Sequence, residues 1–317
     1  MKQTSKVPRR IVVLGTGGTI AGTAQSRSDH VGYRSAQLSV ESLLSTIELP
    51  DAVSFETEQV AQLDSKDMTF HVWRELASRC RHWLDREDID GIVITHGTDT
   101  LEETAFFLSE VLDAQKPVVL TCAMRPATAL SQDGPQNLAD AVTTASLEQA
   151  HGVVVVASGT IHSGRDVAKQ HTYRTDALTS GDAGPLGFIE DGRLRLARPW
   201  PQAPADATRV LQRFIAAQSF PQVEILMSHA DASGRLALAA PSLGIHGIVV
   251  AGTGNGTIHA ALQDALLTVQ NEGVKVRCST RCAHGHVLHQ AGSMIETTPL
   301  SPVKARIALV LELLMRA

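Results

Sequence analysis

The stretch GIVITHGTDTLEETAFFL, residues 91–108, joins an apolar run to a helical pattern through a short polar turn. GIVIT has the continuous Val/Ile character of a strand that is buried on both faces of a sheet. LEETAFFL then carries apolar side chains at helical spacing. A buried strand that leads directly into a helix is typical of a parallel α/β sheet. The turn THGTDT, residues 95–100, therefore lies at a strand end, where such sheets bind ligands.

The same alternation of strand and helix recurs along the chain. Strand-like runs include RIVVLGT (10–16), PVVLTC (117–122) and GVVVVAS (152–158), and helical patterns separate them. We therefore predict the α/β class, with a doubly wound, mostly parallel sheet in a larger N-terminal domain and a second, smaller α/β domain.

A proline-rich segment after the hairpin-like GFIEDGRLRL breaks this rhythm. We place a linker at 196–220, between an N-terminal domain at 1–195 and a C-terminal domain at 221–317. Within the C-terminal domain the alternation resumes with VEILMSH, GIVVAGTGNG and VKVRCST.

Composition excludes several classes of protein. The chain has 317 residues, of which 43% are hydrophobic and 19% are charged, as in folded globular proteins. A net charge of −5 without a long basic run argues against nucleic-acid binding. No apolar stretch approaches the roughly 18–20 residues that span a bilayer. The basic start and the run IVVLG resemble a secretory signal, but the run is too short, and we expect a cytoplasmic protein.

The cysteines do not indicate a disulfide framework, because the four of them are scattered. We expect Cys80 and Cys122 to be reduced thiols in the core. The remaining two belong to a cluster that invites a zinc interpretation: Cys278, Cys282, His284, His286 and His289. The C-x-x-x-C spacing is not that of a common zinc site, so a histidine-rich loop that titrates near neutral pH is favoured.

Two strand ends carry clustered hydroxyl groups. In THGTDT, Thr100 with Glu103 fits a helix-capping box, and Asp99 is another candidate cap. Capping needs one such residue, whereas the turn supplies three in a row. We interpret the neighbouring His96 as a structural hydrogen-bonding residue rather than a catalytic base.

The other cluster is GTGGTIAG, residues 15–22, at the end of the first strand. A tight turn is one interpretation. A dinucleotide-binding loop is another, but Ile20 stands where G-x-G-x-x-G requires glycine. The glycines would let a substrate approach the backbone closely. A threonine hydroxyl is a weak nucleophile, so an activating group must come from elsewhere in the chain.

TGGTIAG and HGTDT together resemble the two signature motifs of the bacterial-type L-asparaginase/glutaminase family. The resemblance extends from about residue 10 to residue 306. Further matching segments are AMRP (123–126), DGPQNL (133–138), GRDVAK (164–169), GPLGFI (184–189), GTGNG (252–256) and SPVKAR (301–306).

The resemblance implies five catalytic residues. Thr19 matches the family's nucleophile, and Tyr33 matches a tyrosine on the flexible loop that follows the first strand. Thr98, Asp99 and Lys169 match a second catalytic group, in which the lysine pairs with the aspartate and polarises the hydroxyl or a water.

The resemblance also implies the substrate contacts. Asp99 would pair with the substrate ammonium and Ser65 would donate to its carboxylate, while Thr98 contacts the substrate as well. Gly18 and Ala123 complete the set within the N-terminal domain. Lys66, next to Ser65, departs from the neutral polar residue of many relatives, which bears on carboxylate binding or selectivity.

Asn255 matches a position that in the family reaches the neighbouring subunit's site, so a homodimer or homotetramer is implied. The implied reaction converts L-asparagine to L-aspartate and ammonia through an acyl-enzyme, with L-glutamine as a second candidate substrate. It requires no metal or organic cofactor. The segment RCSTRCAHGHVLHQAGSMIETTPL has no counterpart of the family's selectivity carboxylate before Glu296, so the preference between the two amides stays open.

Three other functions compete with this interpretation. A non-catalytic amino-acid sensor on the same fold would need Ser65 and Asp99 but not Thr19. The ammonia-generating subunit of tRNA-linked amidation usually carries an extra N-terminal domain, which we do not expect here. A nucleotide-dependent oxidoreductase is disfavoured by Ile20.

Overall fold

The structure is a computed structural model that describes residues 8–48, 53–288 and 292–316. The chain divides after Leu211 into two compact units. Both units are α/β, and the first holds the larger sheet, so the predicted fold class is confirmed. The segment that we interpreted as a linker contains a helix, α5 (Ala207–Ala216), which crosses the division.

The first unit is built on an eight-stranded sheet and a separate two-stranded hairpin. Its strands are β1 (Arg9–Gly17), β2 (Val53–Leu63), β3 (Gly91–Thr95), β4 (Pro117–Thr121), β5 (Gly152–Ala157), β6 (Thr160–Ser163), β7 (Ala168–Lys169), β8 (Leu178–Thr179), β9 (Gly187–Glu190) and β10 (Arg193–Leu196). The helices that connect them are α1 (Val40–Leu44), α2 (Phe70–Leu84), α3 (Leu101–Val111) and α4 (Gly134–Ala145). The strand order in the large sheet is β10-β9-β6-β5-β4-β3-β1-β2.

The middle strands of this sheet form the core. Ile11, Val93, Val119 and Val154 lie on four adjacent strands and are fully buried in one cluster. Burying each such side chain contributes about 1.5–3 kcal/mol to folding. The continuous apolar runs of the sequence thus correspond to strands that are covered on both faces.

A change of direction in the chain creates the crevice at the strand ends. The first five strands are parallel and lie in the order β2-β1-β3-β4-β5. The chain leaves β1 toward one edge and then returns past it to form β3. The connections after β1 and β3 therefore lead toward opposite edges of the sheet, and we expect a ligand crevice beyond these two strand ends.

Two glycines let these loops touch. Gly18 follows β1 and has a φ of 82°, which favours glycine. A Cβ on Gly18 would lie 2.3 Å from the Cα of Gly97, and a Cβ on Gly97 would lie 2.5 Å from Ser65 Oγ. Neither position has room for a side chain, because the two backbones pack directly against each other.

Antiparallel hairpins complete the first unit. Strands β9 and β10 pair antiparallel, as the sequence indicates, through Asp191 and Gly192. Both turn residues have positive φ angles, 51° and 69°, as in a type I′ turn. The short hairpin of β7 and β8 carries Lys169.

The second unit holds a four-stranded parallel sheet in the order of the chain. Its elements are β11 (Val223–Met227), β12 (Gly247–Gly252), β13 (Lys275–Thr280), β14 (Glu296–Thr297), α6 (Arg235–Ala239), α7 (Ala260–Asn271) and α8 (Pro302–Arg316). Ile248, Val250, Leu266 and Val276 are buried together in its core. Within the described ranges, every helix is too short or too polar to span a bilayer.

We predict that Gly97→Ala destabilises the protein, because its methyl group must displace the Ser65 side chain or the Gly18 backbone. Overpacking of this kind costs about 1–3 kcal/mol in the free energy of unfolding. Urea denaturation measures the loss. The matched control is Gly134→Ala, whose methyl group would meet Ile20 Cγ1 at 3.1 Å and no backbone atom within 4 Å among its three nearest neighbours. Equal stability of the two variants would contradict the prediction.

Candidate active site

The loop after β1 holds the first hydroxyl pair. Thr19 begins a 3-10 turn (Thr19–Ala21) directly after Gly18, and only 6% of the residue is exposed. Its Oγ1 atom lies 2.6 Å from the hydroxyl oxygen of Tyr33, at hydrogen-bonding distance. The threonine hydroxyl is therefore shielded from bulk water and has a second hydroxyl as its partner.

Backbone hydrogen bonds bring Tyr33 to this position. Thr23 and Arg34 exchange two backbone hydrogen bonds of 2.9 Å, which close the base of the loop between Gly22 and Gln37. A Cβ on Gly22 would lie 2.9 Å from the Tyr33 ring. The ring thus lies against the backbone near the nucleophile candidate.

The loop after β3 holds the second group. The Lys169 ammonium donates to Thr98 Oγ1 at 2.9 Å and to Asp99 Oδ1 at 2.7 Å. Thr98 is 5% exposed, whereas the side chain of Asp99 is half exposed at the crevice. The structure therefore brings together Thr98, Asp99 and Lys169, which the resemblance implied as a group.

A residue of helix α3 holds the backbone of Lys169 in place. Glu102, in its first turn, accepts a hydrogen bond of 2.9 Å from the backbone N–H of Lys169. Glu102 carries no distinguishing signal in the sequence, because acidic residues are common in the first turn of any helix. Its contact partner is remote in the chain, so no local pattern identifies it.

Ser65 belongs to the same crevice. It begins a 3-10 turn after β2 and is 2% exposed. Its hydroxyl oxygen accepts from the backbone N–H of Asp99 at 3.2 Å. A hydroxyl group can also donate one hydrogen of its own.

The structure confirms Thr100 as the cap position of α3 but not the side-chain bond of a capping box. Thr100 is the N-cap residue of α3, but its side chain makes no capping hydrogen bond. Its hydroxyl instead donates to the backbone carbonyl of Ser65 at 2.7 Å. This long-range bond ties the turn after β2 to the turn after β3, and a local sequence pattern could not have revealed it.

His96 is a structural residue, as we expected. Its Nδ1 lies 2.7 Å from the carbonyl oxygen of Gly97, so Nδ1 carries the hydrogen. Its Nε2 then accepts from Thr104 Oγ1 at 2.9 Å, and Thr104 accepts from the Trp73 indole at 2.8 Å. Burial lowers the pKa of His96 to about 4, because the imidazolium would lose its hydration. A neutral imidazole therefore holds the Gly97 carbonyl toward the core.

Lys66 is not a free cation, because its ammonium is paired with carboxylates. Its ammonium pairs with Asp67 Oδ2 at 2.6 Å and lies 3.5 Å from Asp64 Oδ2. The hydrogen bond to Asp67 raises the pKa of this exposed lysine. Asp64 also accepts from the Ser35 hydroxyl at 3.3 Å, in the same loop as Tyr33.

Ala123 and Asn255 lie in different units. Ala123 is fully buried just after β4, in the first unit. Asn255 is exposed in the second unit, and its Oδ1 accepts from the backbone N–H of Leu288 at 2.8 Å.

The cysteines of the described residues are all free. Cys80 and Cys122 are fully buried core thiols. Cys278 is also buried, which raises the pKa of its thiol to about 11, and its sulfur lies 3.2 Å from the Gly256 carbonyl. In the part of the chain that the structure describes, no three His, Cys, Asp or Glu residues form a metal-binding group. His289 lies outside that part.

Comparison with protein-family models matches residues 10–202 to "Asparaginase, N-terminal" and residues 222–315 to "Glutaminase/Asparaginase C-terminal domain". Two curated relatives align over 96% of this chain and 88% of their own length. They are "L-asparaginase 2" of Escherichia coli strain K12, with 37% identity, and "Probable L-asparaginase periplasmic" of Haemophilus influenzae, with 36%. A solved structure, the "Probable Cytoplasmic L-asparaginase from Campylobacter jejuni", has 39% identity and a TM-score of 0.87, and the match covers 96% of this chain and 95% of that one.

We predict a loss of stability in mild acid from two buried histidines. Burial lowers the pKa of both His96 and His162 to about 4, below the value of about 6.5 in an unfolded chain. The unfolded state therefore binds protons first as the pH falls. The contribution of each neutral histidine to the free energy of unfolding is present in full above about pH 6.5 and is lost between about pH 6.5 and 4. By about pH 5 the loss is on the order of 2 kcal/mol per histidine.

Urea denaturation at pH 7.5 and pH 5 tests this prediction. His162 accepts or donates one hydrogen bond, between Nδ1 and the Ser180 hydroxyl at 2.8 Å. The variant His162→Asn retains a polar group near Nδ1 but cannot titrate. Its stability should fall less than that of the wild type between the two pH values. An identical fall would show that His162 does not contribute.

Proposed function

Since the chain belongs to the asparaginase family along almost its whole length, we propose that it hydrolyses L-asparagine to L-aspartate and ammonia through an ester on Thr19. One observation carries this proposal. Two nearly buried threonine hydroxyls follow adjacent strands, and each has its own polar partner: Tyr33 for Thr19, and Lys169 for Thr98. A covalent route in two steps needs such a nucleophile and a second activated group.

In the first step, Thr19 Oγ1 attacks the carbon of the side-chain amide. As the bond forms, the threonine proton passes to the Tyr33 oxygen, 2.6 Å away, while the phenolic proton of Tyr33 is passed on toward the amide nitrogen. The amide nitrogen takes up a proton and leaves as ammonia when the C–N bond breaks. The product of this step is an aspartyl ester of Thr19.

The developing oxyanion needs hydrogen-bond donors that are already in place. His96 holds the Gly97 carbonyl at 2.7 Å, toward the core. In a trans peptide the following N–H points the opposite way, so the N–H of Thr98 is directed into the crevice. We assign the oxyanion to this N–H together with the backbone after β1.

The polar ends of the substrate fix its direction in the crevice. Asp99 uses one carboxylate oxygen for Lys169, and its other oxygen is suited to accept from the substrate ammonium. Ser65 supplies a hydroxyl hydrogen for the substrate carboxylate. Thr98 and the backbone of Gly18 and Ala123 line the remaining polar positions in this assignment.

In the second step, water attacks the ester carbon and the Thr19–carbonyl bond breaks. Lys169 orients the Thr98 hydroxyl, which directs the attacking water, and Asp99 balances the ammonium charge. The proton of the water returns to Thr19 and aspartate is released. None of these steps calls for a metal or an organic cofactor. L-Glutamine is a second substrate to test, because one matched family description names both activities.

We further propose that two subunits share each site, in a homodimer or homotetramer. Asn255 is exposed and lies in the second unit, where it could serve a neighbouring copy. We also propose a cytoplasmic location. The solved relative from Campylobacter jejuni is described as "Probable Cytoplasmic", whereas the Haemophilus influenzae relative is described as periplasmic.

We predict that Thr19→Ala lowers ammonia release from L-asparagine by about 10³-fold or more, since the covalent route is lost. Lys169→Met should lower it by about 10²–10⁴-fold, because the second step loses its polarising group. The assay measures ammonia from L-asparagine and from L-glutamine in parallel. Lys275→Met, in the second unit, is the matched control and should keep wild-type rates.

The same assay separates the alternatives. Asparagine binding by calorimetry without turnover in the wild type would favour an amino-acid sensor. Wild-type rates in Thr19→Ala would refute the assigned nucleophile while leaving the amidohydrolase activity intact. Acid quenching during turnover should also trap an aspartyl adduct on the peptide that contains Thr19.

We predict that Thr19→Ala and Asn255→Ala subunits complement each other. In a mixed dimer, one site combines an intact Thr19 with the partner's intact Asn255. Random pairing of equal amounts of the two variants should therefore make about a quarter of all sites intact. Each variant alone, refolded in the same way, is the control. If the mixture only averages the two parent activities, Asn255 does not act across subunits.

A further inference from the structure

The loop that carries Tyr33, residues 22–37, is held along one arm. Gly22 accepts from the N–H of Ala127 at 2.9 Å, and the N–H of Ala24 donates to Thr128 Oγ1 at 2.9 Å. Arg27 accepts from the N–H of Leu130 at 3.2 Å. These bonds fix the outgoing arm of the loop and leave its tip, residues 28–32, to be held in another way.

The tip is folded mainly on itself. Asp29 Oδ1 accepts from the N–H groups of Val31 and Gly32 at 3.0 Å and 2.7 Å. These hydrogen bonds, that of Gly32 first, lower the pKa of Asp29. Val31 is 79% exposed, so apolar packing does not hold the tip against the domain.

One contact joins the tip to the rest of the unit. His30 Nδ1 lies 3.0 Å from the Tyr173 hydroxyl, and the two ring centroids are 6.4 Å apart. Among the described residues, this is the only hydrogen bond that joins the tip to a residue outside the loop. The other ring nitrogen of His30 is buried and has no hydrogen-bond partner among them. The polar contact of the histidine is therefore directed at Tyr173.

Tyr173 lies in the turn of the hairpin that carries Lys169. His171 Nδ1 accepts from the N–H groups of Tyr173 and Arg174 at 3.0 Å each. The N–H of Gln170 donates to the Ala177 carbonyl at 2.8 Å, which continues the pairing of β7 and β8 into the turn. The turn is thus internally braced, and Tyr173 projects from it with half of its surface exposed.

We propose that the His30–Tyr173 hydrogen bond is a latch that keeps the loop closed over Thr19 and so positions Tyr33 at the nucleophile. The latch joins the two halves of the site, since His30 shares a loop with Tyr33 and Tyr173 shares a hairpin with Lys169. This role rests on the proposed function. His30 and Tyr173 are positioning residues, because neither contacts Thr19.

The latch must be weak enough to open. Thr19 is 6% exposed in the closed loop, so substrate must enter and product must leave when the loop is open. A single half-exposed hydrogen bond shifts such an equilibrium only modestly. Without the latch the open form gains population, and more substrate is needed to close the loop.

The test uses full-length Tyr173→Phe, His30→Ala and the double variant. Loop opening is measured by amide hydrogen exchange of residues 23–34 and by the rate of trypsin cleavage after Arg27. Each variant is also made on Thr19→Ala, so that opening is measured without turnover. Ser28→Ala is the matched control, because the Ser28 hydroxyl contacts Ser26 in the same loop.

We expect both single variants to accelerate exchange and cleavage by about 3- to 10-fold, as the loss of one hydrogen bond implies. The double variant should go no further than either single one, since both remove the same bond. The KM for L-asparagine should rise by a similar factor while kcat stays within about 2-fold, because bound substrate still closes the loop. A loss of folded enzyme would instead lower kcat at constant KM.

The proposal is overturned if Tyr173→Phe exchanges at the wild-type rate, or if the effects of the two single variants add in the double variant. If the wild type releases no ammonia, the proposed function fails. Loop exchange in the Thr19→Ala background then still decides whether the latch exists.

Discussion

The direct contact between the Gly18 and Gly97 backbones is the constraint on which the site depends. Each glycine immediately precedes a threonine, Thr19 in one loop and Thr98 in the other. Because no side chain separates the loops, the two threonines continue from backbone positions that are in direct contact. Parallel strands alone would bring their ends to the same edge of the sheet, but not within reach of a single small molecule.

The two halves of the site differ in how firmly the fold holds them. Lys169 is fixed on both sides, by Glu102 at its backbone and by Thr98 and Asp99 at its ammonium. Tyr33 comes from a long loop that is held by a few hydrogen bonds. In the proposed reaction, a fixed electrostatic half and a loop that opens would let a substrate enter without disturbing the charged groups.

The sequence predicts the fold well because the fold is decided by local patterns. Continuous apolar runs indicate the buried parallel strands, and the positions of the turns place Thr19 and Thr98 at one edge. The details of the turn at 95–100 were not predictable, since they depend on partners far along the chain. Thr100 has the local environment of a capping residue, yet its hydroxyl finds the Ser65 carbonyl.

Residues that make charged contacts are equally hard to predict from local sequence patterns. Lys169 has no local signal that distinguishes it from a surface lysine, and only the resemblance to a family singled it out. Glu102 was indicated neither by a local pattern nor by the resemblance to a family. Residues that act through remote hydrogen bonds become visible only when the topology is known.

The hairpin of β9 and β10 also affects how copies of the protein meet in concentrated solution. Strand β10 ends the large sheet, and its outer backbone groups are a template on which another chain could pair. Arg193 and Arg195 are both exposed on this four-residue strand. A strand that added here would bring its backbone alongside the exposed Arg193, whereas Arg195 is paired with Glu190 on β9. The two-residue turn joins strands of only four residues each, so the edge is short. The hairpin thereby disfavours edge-to-edge aggregation.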